Sequence, residues 1–419
     1  MLYMTILWFS NRSVLDEAMK ESGTWLLAMA RLITRSSDIK LVNVTLNPDS
    51  SSTKIATRAS ASITEYLLPS WKLSRDMLPP VEACNEIQRL CSEIAPDIIH
   101  VWGVENYFSR LLPVLNLDAK LLLEIQGLKH TCADVYMGDL SPAEMLNTLR
   151  TREYLFFSSK SIFAFQNKMR EDGERDLSVL KVYKYISTQS MWVRNQIKIH
   201  APAAHVFDTR IALRDVFMCS MEWQYPTSLS PSFYVSAAGP APYKSIQTAF
   251  RALRVLKKEY PDVKLYVIGD FQIRNLIHTS GYLYFLYGLI KKLQLEGNII
   301  FTGPLSGNEI VEVARKSIAY IQTSYVESYS LAVAEAQALG VPCIISYAGA
   351  MPELAVHEET GLFYAPGDYV SCAMLMQRLI KDKSLAMRLS EQGRSLARER
   401  HAEDAVCASQ ILIYKSIYQ

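Results

Sequence analysis

Short, continuous apolar runs alternate with segments of helical periodicity along the first half of the chain. The apolar runs are "YMTILWF", "IKLVNVTL", "DIIHVWG" and "KLLLEIQG", and the helical segments include "TWLLAMARLITRS" and "EACNEIQRLCSEI". Continuous apolar strands separated by amphipathic helices are typical of a parallel sheet that is buried on both faces. The pattern therefore predicts a doubly wound α/β domain, which "SIFAFQ", "KVYKYIS" and "AHVFDTR" extend as further strands to about residue 215.

The alternation stops at residues 221–233 and then starts again. This stretch, "MEWQYPTSLSPSF", is rich in Pro, Ser and Thr and has no periodicity, which favours an interdomain linker. Strand-like runs return in "FYVSAAG", "KLYVIGD", "NIIFTG", "AYIQTS" and "PCIISY", and the tail from Tyr369 has a helical pattern. We predict an N-terminal domain over residues 1–222, a second doubly wound domain over residues 223–395, and a C-terminal helix over residues 396–419 that packs back towards the first domain.

Length and charge exclude several classes of protein. A chain of 419 residues agrees with two domains, because one hydrophobic core seldom organises so long a chain. The formal net charge of +2 gives no long-range attraction for nucleic acid, so no nucleic-acid partner is expected. The seven Cys show neither CxxC nor metal-ligand spacing, which indicates reduced thiols and a cytoplasmic protein.

The apolar runs also bear on targeting. The N-terminal "MLYMTILWFS" has no basic n-region, so it is read as a first strand and not as a signal peptide. No apolar run approaches the ~18 residues that a membrane span needs. We therefore expect a soluble or peripheral protein. Because ligands of doubly wound sheets bind at the carboxyl ends of strands, two such domains predict a cleft that holds a phosphate-bearing ligand.

One carboxylate stands out in the second domain. In "SYVESYSLAVAEAQALGVP", Gly340 and Pro342 mark the end of a helix, and either Ser328 or Ser330 can cap its start. By helical spacing, Glu335 shares a face with apolar residues, so we expect it to be buried. A second carboxylate, Glu327, precedes the same helix.

These residues resemble a known signature. The pattern from Glu327 to Pro342, followed by "GAMPEL" and "GLFYAPGD", is similar to the E-x7-E signature and its downstream context in glycosyltransferase family 4. Members of that family are retaining enzymes of the GT-B fold, many of them in polysaccharide biosynthesis. The resemblance implies two Rossmann-like domains that face each other across a cleft. It also implies a hexosyltransferase-type enzyme whose co-substrate is a nucleoside-diphosphate-sugar and which needs no cofactor and no metal.

The resemblance assigns roles to individual residues. It implies that Glu335 accepts hydrogen bonds from the ribose hydroxyls of the donor and that Glu327 contacts the donor sugar. Two sets of backbone N–H groups would approach the sugar and the diphosphate, namely those of Ser328, Tyr329, Ser330 and Leu331, and those of Gly349, Ala350 and Met351. Family members commonly have Gly-Gly where this chain has Gly349-Ala350.

The cations differ from the family pattern. Lys244 falls on the family's basic position, but Gly239 stands where an Arg is usual. Arg and Lys together normally hold the diphosphate leaving group. Either another cation such as Arg274 replaces the missing Arg, or Lys244 and the helix N-termini suffice.

Two positions in the first half are similar to the family's donor-facing residues. Gly23, within Ser22-Gly23-Thr24, resembles the Gly-rich first loop, although a plain strand-to-helix turn gives the same pattern. Gln126 occupies the position of a donor-facing His, with His130 as a nearby alternative. His100 is expected to be a core or loop histidine.

The resemblance implies front-face transfer, in which the acceptor enters on the side from which the diphosphate leaves. The acceptor stays open as a glycan, a lipid-linked glycan or a small molecule. "YLFFSSKSIFAFQNKMR", residues 154–170, allows peripheral contact with the inner face of a membrane, but a helix followed by a buried strand explains it as well. Because of Gly239 and Gln126, a non-catalytic nucleotide-sugar-binding or scaffold subunit is the alternative function.

Overall fold

The computed structural model describes residues 4–15, 24–35, 38–47, 49, 55–60, 62–69, 71, 80–149, 161–228, 230–272 and 280–419. The chain forms two compact units. The first unit consists of Met1–Leu128, Arg175–Ala212 and Arg400–Gln419, and the second consists of Lys129–Glu174 and Leu213–Glu399.

The strands of the described residues are, in chain order, β1 (Met4–Phe9), β2 (Ile39–Leu46), β3 (Ala56–Ala59), β4 (Ile63–Leu68), β5 (Ile98–Trp102), β6 (Lys120–Ile125), β7 (Tyr185–Thr188), β8 (His205–Asp208), β9 (Ser232–Ser236), β10 (Lys264–Ile268), β11 (Ile299–Gly303), β12 (Ala319–Gln322), β13 (Cys343–Ser346) and β14 (Leu362–Tyr364). They form one sheet in each unit.

The helices of the described residues are, in chain order, α1 (Thr24–Ile33), α2 (Val81–Ile94), α3 (Tyr107–Leu111), α4 (Lys129–Asp134), α5 (Pro142–Asn147), α6 (Ile162–Leu180), α7 (Met191–His200), α8 (Asp215–Cys219), α9 (Ile246–Leu256), α10 (Gly281–Lys292), α11 (Gly307–Lys316), α12 (Leu331–Leu339), α13 (Met351–Leu354), α14 (Tyr369–Lys381), α15 (Lys383–Arg400) and α16 (Glu403–Tyr418). Short 3-10 helices cover Leu112–Val114 and Pro242–Lys244. No helix in these ranges is long and apolar enough to span a bilayer.

The first unit contains a sheet in the order β3-β4-β2-β1-β5-β6-β7-β8 within the described residues. All neighbouring strands are parallel except β3 and β4, which are antiparallel. Every residue of β5 is buried, as expected for a central strand with helices on both faces. The doubly wound arrangement that the alternating pattern predicts is therefore present.

The second unit contains a parallel sheet in the order β11-β10-β9-β12-β13-β14 within the same described ranges. The chain moves outward from β9 through β10 to β11, and then returns to the other side of β9 with β12. The strand order therefore reverses between β9 and β12. In open α/β sheets, ligands bind beyond the carboxyl ends of the strands at such a switch point.

The division of the chain differs from the expected boundaries at residues 222 and 395. The chain passes from the first unit to the second at Ala212 and Leu213. The expected linker is anchored in the second unit, since Trp223 is fully buried and its backbone N–H donates to the carbonyl of Leu339 at 2.9 Å. The segment Lys129–Glu174, expected in the first domain, also belongs to the second unit.

The C-terminal helix α16 belongs to the first unit. The Tyr414 hydroxyl accepts a hydrogen bond from Trp8 Nε1 at 2.9 Å and lies 2.9 Å from His100 Nδ1. Val406, Ile413 and Ile417 are buried in the same apolar cluster as β1.

One expected strand is a helix. "SIFAFQ", Ser161 to Gln166, leads into and starts α6. Buried residues recur along α6 at helical spacing, at Ile162, Gly173, Asp176 and Leu180, whereas Phe163 and Phe165 are exposed. The short apolar run was therefore part of a longer amphipathic pattern, and the strand prediction was wrong.

Candidate active site

Lys244 and Glu327 come together at the switch point of the second sheet. Lys244 ends the 3-10 helix Pro242–Lys244 that follows β9, and Glu327 lies in the loop that follows β12. The Nζ atom of Lys244 donates to Oε1 of Glu327 at 2.7 Å, and these side chains are 26% and 13% exposed. A largely buried cation and a carboxylate thus meet where the fold places ligands.

The charge on Lys244 is maintained by this pair. Burial by itself favours the neutral amine, but the Glu327 carboxylate outweighs that effect and raises the pKa of Lys244 above its ordinary value. The ammonium also lies over the ring of Tyr243, 5.2 Å from its centroid. Lys244 is therefore a permanent cation over the ordinary pH range.

Three donors converge on one oxygen of Glu327. Besides Lys244, Gln322 Nε2 donates to Oε1 at 2.8 Å and Ser324 Oγ donates to it at 2.6 Å. Within the part of the chain that the structure describes, the hydrogen bonds of the Glu327 side chain all end on Oε1. A carboxylate accepts through both oxygens, so Oε2 is available to a ligand hydroxyl.

The backbone around Lys244 is fixed from two sides. Its carbonyl accepts from Thr323 Oγ1 at 2.6 Å, which ties the loop after β9 to the loop after β12. On the other side Asp139 accepts from Ser245 Oγ at 2.6 Å and forms an ion pair with Arg251. Ser245 has a φ of +49°, a left-handed conformation that a non-glycine residue adopts rarely. Asp139 therefore stabilises the turn that aims Lys244.

Gly349 packs directly on the backbone of Glu327. Its φ is +57°, and a Cβ atom there would lie 2.3 Å from the Glu327 carbonyl oxygen, so only glycine fits. Ala350 stands where members of the resembled family commonly have a second Gly. It is fully buried, and its N–H donates to the Glu327 carbonyl at 2.9 Å. The N–H of Met351 donates to the Ala348 carbonyl. Two of the three N–H groups expected to face a ligand are thus occupied here, and their ligand role stays a prediction.

The helix α12 begins and ends as its sequence predicts. Ser330 is the N-cap, and its side chain accepts from the N–H of Val333 at 3.3 Å. Gly340 ends the helix in the left-handed conformation with a φ of +87°. Of the alternatives Ser328 and Ser330, the cap is Ser330. Tyr329 and Leu331 flank it, so their N–H groups lie at the start of the helix, where the helix dipole favours an anion.

Glu335 is buried, as its position on the apolar face predicts. It is 8% exposed, and it forms a bidentate pair with Arg214, with Arg214 Nε donating to Oε1 and Nη2 to Oε2 at 2.7 Å each. Burial raises the pKa of Glu335 above its ordinary value, and the Arg214 guanidinium opposes the rise. No feature of the sequence pointed to Arg214, which is distant from Glu335 along the chain.

Gly239 leaves room for a side chain. A Cβ atom at this position would have the Asp270 carbonyl oxygen at 3.9 Å as its nearest neighbour, an ordinary van der Waals distance. Arg274, the expected substitute cation, and Gly23 both lie outside the described residues.

The candidates from the first half of the chain fall in different units. Gln126 is half-buried and follows β6 in the first unit, whereas His130 lies on α4 in the second unit. His100 is fully buried next to Tyr414, and burial lowers its pKa to about 3, so it is a neutral core histidine as expected.

Comparisons with known proteins bear on this arrangement. Residues 223–396 match the family model for glycosyl transferases group 1. The N-acetyl-alpha-D-glucosaminyl L-malate synthase of Bacillus anthracis is 26% identical over 200 residues, which are 48% of this chain and 49% of that protein. The chain spans about half the length of the curated relatives it matches.

Two solved structures resemble the whole chain. Sucrose-phosphate synthase from Thermosynechococcus elongatus has a TM-score of 0.70 at 14% identity, covering 99% of both chains. Anabaena Alr3699/HepE, solved in complex with UDP and glucose, has a TM-score of 0.65 at 15% identity, covering 99% of this chain and 100% of that one. At such identities the similarity shows the fold alone. The fold is GT-B, with two Rossmann-like domains, which confirms the expected fold class.

Proposed function

We propose that this protein is a retaining glycosyltransferase that moves a sugar from a nucleoside-diphosphate-sugar to a glycan, a lipid-linked glycan or a small-molecule acceptor. The observation that carries the proposal is the contact between Lys244 and Glu327 at the switch point of the second sheet. The match of residues 223–396 to the group 1 glycosyl transferase model supports it.

Lys244 would stabilise the leaving diphosphate. An ammonium has three N–H donors, and one of them is directed at Glu327, so the others can turn to phosphate oxygens. Negative charge develops on the diphosphate as the glycosidic bond breaks, and a fixed cation in a water-poor site stabilises that charge strongly. The Ser330-capped start of α12 adds N–H groups and a helix dipole of the same sign.

Glu327 would orient the donor sugar. Its Oε1 atom is held by Lys244, Gln322 and Ser324, which fixes the plane of the carboxylate. A hydroxyl of the sugar can then donate to Oε2. Glu335 would accept the ribose hydroxyls of the same donor, as the resemblance implies.

Gln126, after β6, would face the donor sugar in the place of a family His. The acceptor oxygen would enter on the face that the diphosphate leaves, so the product would keep the anomeric configuration of the donor. We propose that no cofactor and no metal takes part and that the reaction runs in the cytoplasm, as the absence of CxxC and metal-ligand spacing among the seven Cys suggests.

Contact with the inner face of a membrane is a further part of the proposal. On α6, Phe163 and Phe165 are exposed, and Lys168 and Arg170 follow on the same helix. Exposed aromatics beside cations favour an anionic lipid surface. Flotation with vesicles that contain an anionic phospholipid tests this part, and absence of the protein from the vesicle fraction would contradict it.

The first experiment is a thermal-shift screen with UDP, GDP and ADP. A nucleotide that binds only the folded protein raises the melting temperature by mass action. The matching nucleotide-sugar is then incubated with the protein, and NMR of the product or of slow donor hydrolysis reads the anomeric configuration. Retention is expected, and an inverted product would contradict the mechanism.

The alternative, a scaffold subunit that binds nucleotide-sugar without turnover, predicts a thermal shift but no product with any acceptor or with water. The enzyme is favoured because this chain has Lys244 at the family's basic position and Glu327 at the first Glu of the family's signature. No shift with any of the three nucleotides and no turnover of their sugars would contradict both functions.

A further inference from the structure

Arg214 and Glu335 form a largely enclosed ion pair in the unit that holds the candidate site. The guanidinium donates from Nε and Nη2 to the two carboxylate oxygens at 2.7 Å each. The side chains are only 18% and 10% exposed. Planar bidentate pairs of this kind fix the orientation of both groups more firmly than a single contact does.

The guanidinium is itself held in place. Its Cζ atom lies 4.5 Å from the centroid of the Phe217 ring, which forms a cation–π contact. On another side it approaches the start of α11, where a Cβ atom at Gly307 would lie 3.7 Å from Nη1 and 2.7 Å from the side chain of Val216. Arg214 therefore has little freedom to turn away from Glu335.

We propose that Arg214 is a positioning residue that keeps the Glu335 carboxylate ionised and in one plane, so that it can accept the ribose hydroxyls of the nucleotide. This inference rests on the proposed function. A carboxylate has about four lone-pair sites, and the Arg214 fork uses one on each oxygen. One site on each oxygen is left for a hydroxyl.

The charge state of Glu335 depends on Arg214. Burial favours the protonated acid, and a protonated Glu335 would offer fewer acceptor sites. Glu335 interacts electrostatically with two buried phenols, Tyr234 on β9 and Tyr320 on β12, whose pKa values are raised well above 10 by burial and further by nearby ionisable groups that include Glu335. Both phenols stay neutral, so within the described residues Arg214 is the cation that stabilises the carboxylate.

The test measures nucleotide affinity against pH. We would titrate the wild type, Arg214→Gln and Arg214→Lys with UDP by calorimetry, with GDP and ADP as further probes, from about pH 5.5 to about pH 8.5, a range that spans raised carboxyl pKa values. Arg214→Gln should bind at least about tenfold more weakly near pH 7, a loss of about 1.4 kcal/mol. Its affinity should recover as the pH rises, because Glu335 then ionises without help.

Arg214→Lys should recover part of the nucleotide affinity, since lysine keeps the positive charge but cannot donate two parallel hydrogen bonds to the carboxylate. The matched control is Arg378→Gln, which removes an exposed bidentate pair with Glu358 in the same unit. The control should bind like the wild type. Wild-type affinity for Arg214→Gln at every pH would overturn the inference, and tighter binding would mean that Arg214 occupies the ribose position and competes with the nucleotide.

A second readout needs no nucleotide. Without Arg214 the pKa of Glu335 rises further above its unfolded value, so the free energy of unfolding of Arg214→Gln should fall as the pH rises from about 4.5 through that raised pKa. Arg214→Gln combined with Glu335→Gln should lack this fall. Equal pH profiles for the two variants would overturn the inference. If the two pH profiles differ clearly but Glu335→Gln binds nucleotide like the wild type, then Arg214 does control the ionisation of Glu335. Glu335 would in that case not belong to the proposed nucleotide site.

Discussion

Both units bury carboxylates, but the partners of two carboxylates on the strands of the first sheet differ from those of the two candidate donor-site carboxylates in the second unit. In the first unit, Glu65 accepts from Ser13 Oγ, the Val14 N–H and Asn43 Nδ2, and Glu124 accepts from Ser187 Oγ and from Gln189 Nε2. These donors are neutral groups. In the second unit, Glu327 is paired with Lys244 and Glu335 with Arg214.

The difference separates two uses of a buried carboxylate. Neutral donors satisfy the oxygens and tie loops and strands together, but they bring no cation that a ligand could share. A cation next to a carboxylate makes a local pair that an anionic ligand can enter, since a Lys or Arg with spare N–H donors can hold both groups. The first unit also contains an ionic pair, but Arg110 contacts the buried Asp176 through a single, longer contact of 3.4 Å. The two pairs at 2.7 Å, Lys244 with Glu327 and Arg214 with Glu335, lie in the unit that contains the match to the glycosyl transferase model, where the proposed donor site requires them.

The largest effect is expected from Lys244→Ala. Loss of one preorganised donor on developing charge typically lowers turnover by about 10² to 10³. Steady-state kinetics with the matching nucleotide-sugar measures this loss. The control is Lys264→Ala at the amino end of β10, whose Nζ donates to the Gly297 carbonyl. Turnover of Lys244→Ala close to that of the control would show that the diphosphate is held by other groups.

Glu335→Ala is expected to destabilise the fold. Sequence alone favours a neutral change, because Ala is the better helix former. The structure reverses this expectation, since the variant leaves the guanidinium of Arg214 buried without its partner, which costs about 3 kcal/mol. Urea unfolding measures the change, and Glu358→Ala, from an exposed pair, should lose less than about 1 kcal/mol. Equal losses would mean that the two pairs are equivalent.

Glu124→Gln tests a buried carboxyl group whose hydrogen-bond donors are neutral. Burial raises the pKa of Glu124 from 4.5 to about 7, so the folded state holds this proton more tightly than the unfolded state. The free energy of unfolding should therefore fall by about 2 kcal/mol as the pH rises from about 5 to about 7. Glu124→Gln should lack this fall while its turnover stays that of the wild type. An unchanged pH profile would contradict the raised pKa.

Gly239→Arg should add a cation that binds the diphosphate of the donor in the second unit. The open space at the Gly239 Cβ position accepts a side chain. One partly exposed ion pair with the diphosphate should raise nucleotide affinity about threefold. Gly239→Ala adds the Cβ atom without the charge and should bind like the wild type. Weaker binding of the Arg variant alone would show that the added charge is misplaced.

Chelation is expected to have the smallest effect. The described residues contain no group of three or more His, Cys, Asp or Glu that could hold a metal ion. If Lys244 and the start of α12 supply the positive charge, EDTA should leave turnover unchanged. Activity that is lost with EDTA and restored by one divalent ion would contradict this and assign part of the charge to a metal.

The sequence predicted what depends on local patterns. The burial of Glu335 followed from its face on α12, and the ends of that helix followed from Ser330, one of two possible caps, and from Gly340. Lys244 lies in the 3-10 helix after β9, at the position that the resemblance gives to the family's basic residue, and its role on the diphosphate stays a prediction. The fold class followed from alternating strands and helices, which continue over most of the chain.

The sequence did not predict what depends on distant partners. Arg214 and Glu335 are 121 residues apart, and neither composition nor periodicity links them. The segment around Asp139 contacts α9 through Arg251. It belongs to the second unit because of this tertiary contact, which no local sequence pattern indicates. The sequence gives no sign that Trp223 is buried, because the Pro and Ser around it suggest a linker. A single buried aromatic ring is nevertheless enough to anchor such a segment.

The position of α16 has a consequence for the order of folding during synthesis. Tyr414 contacts Trp8 and His100, so the first unit contains residues from near both ends of the chain. The ribosome therefore completes the whole of Leu213–Glu399 before it supplies the last helix of the first unit. Until then the apolar surface of β1 and α1 that faces α16 is uncovered. We expect the second unit to fold first and the nascent first unit to be the main client of chaperones.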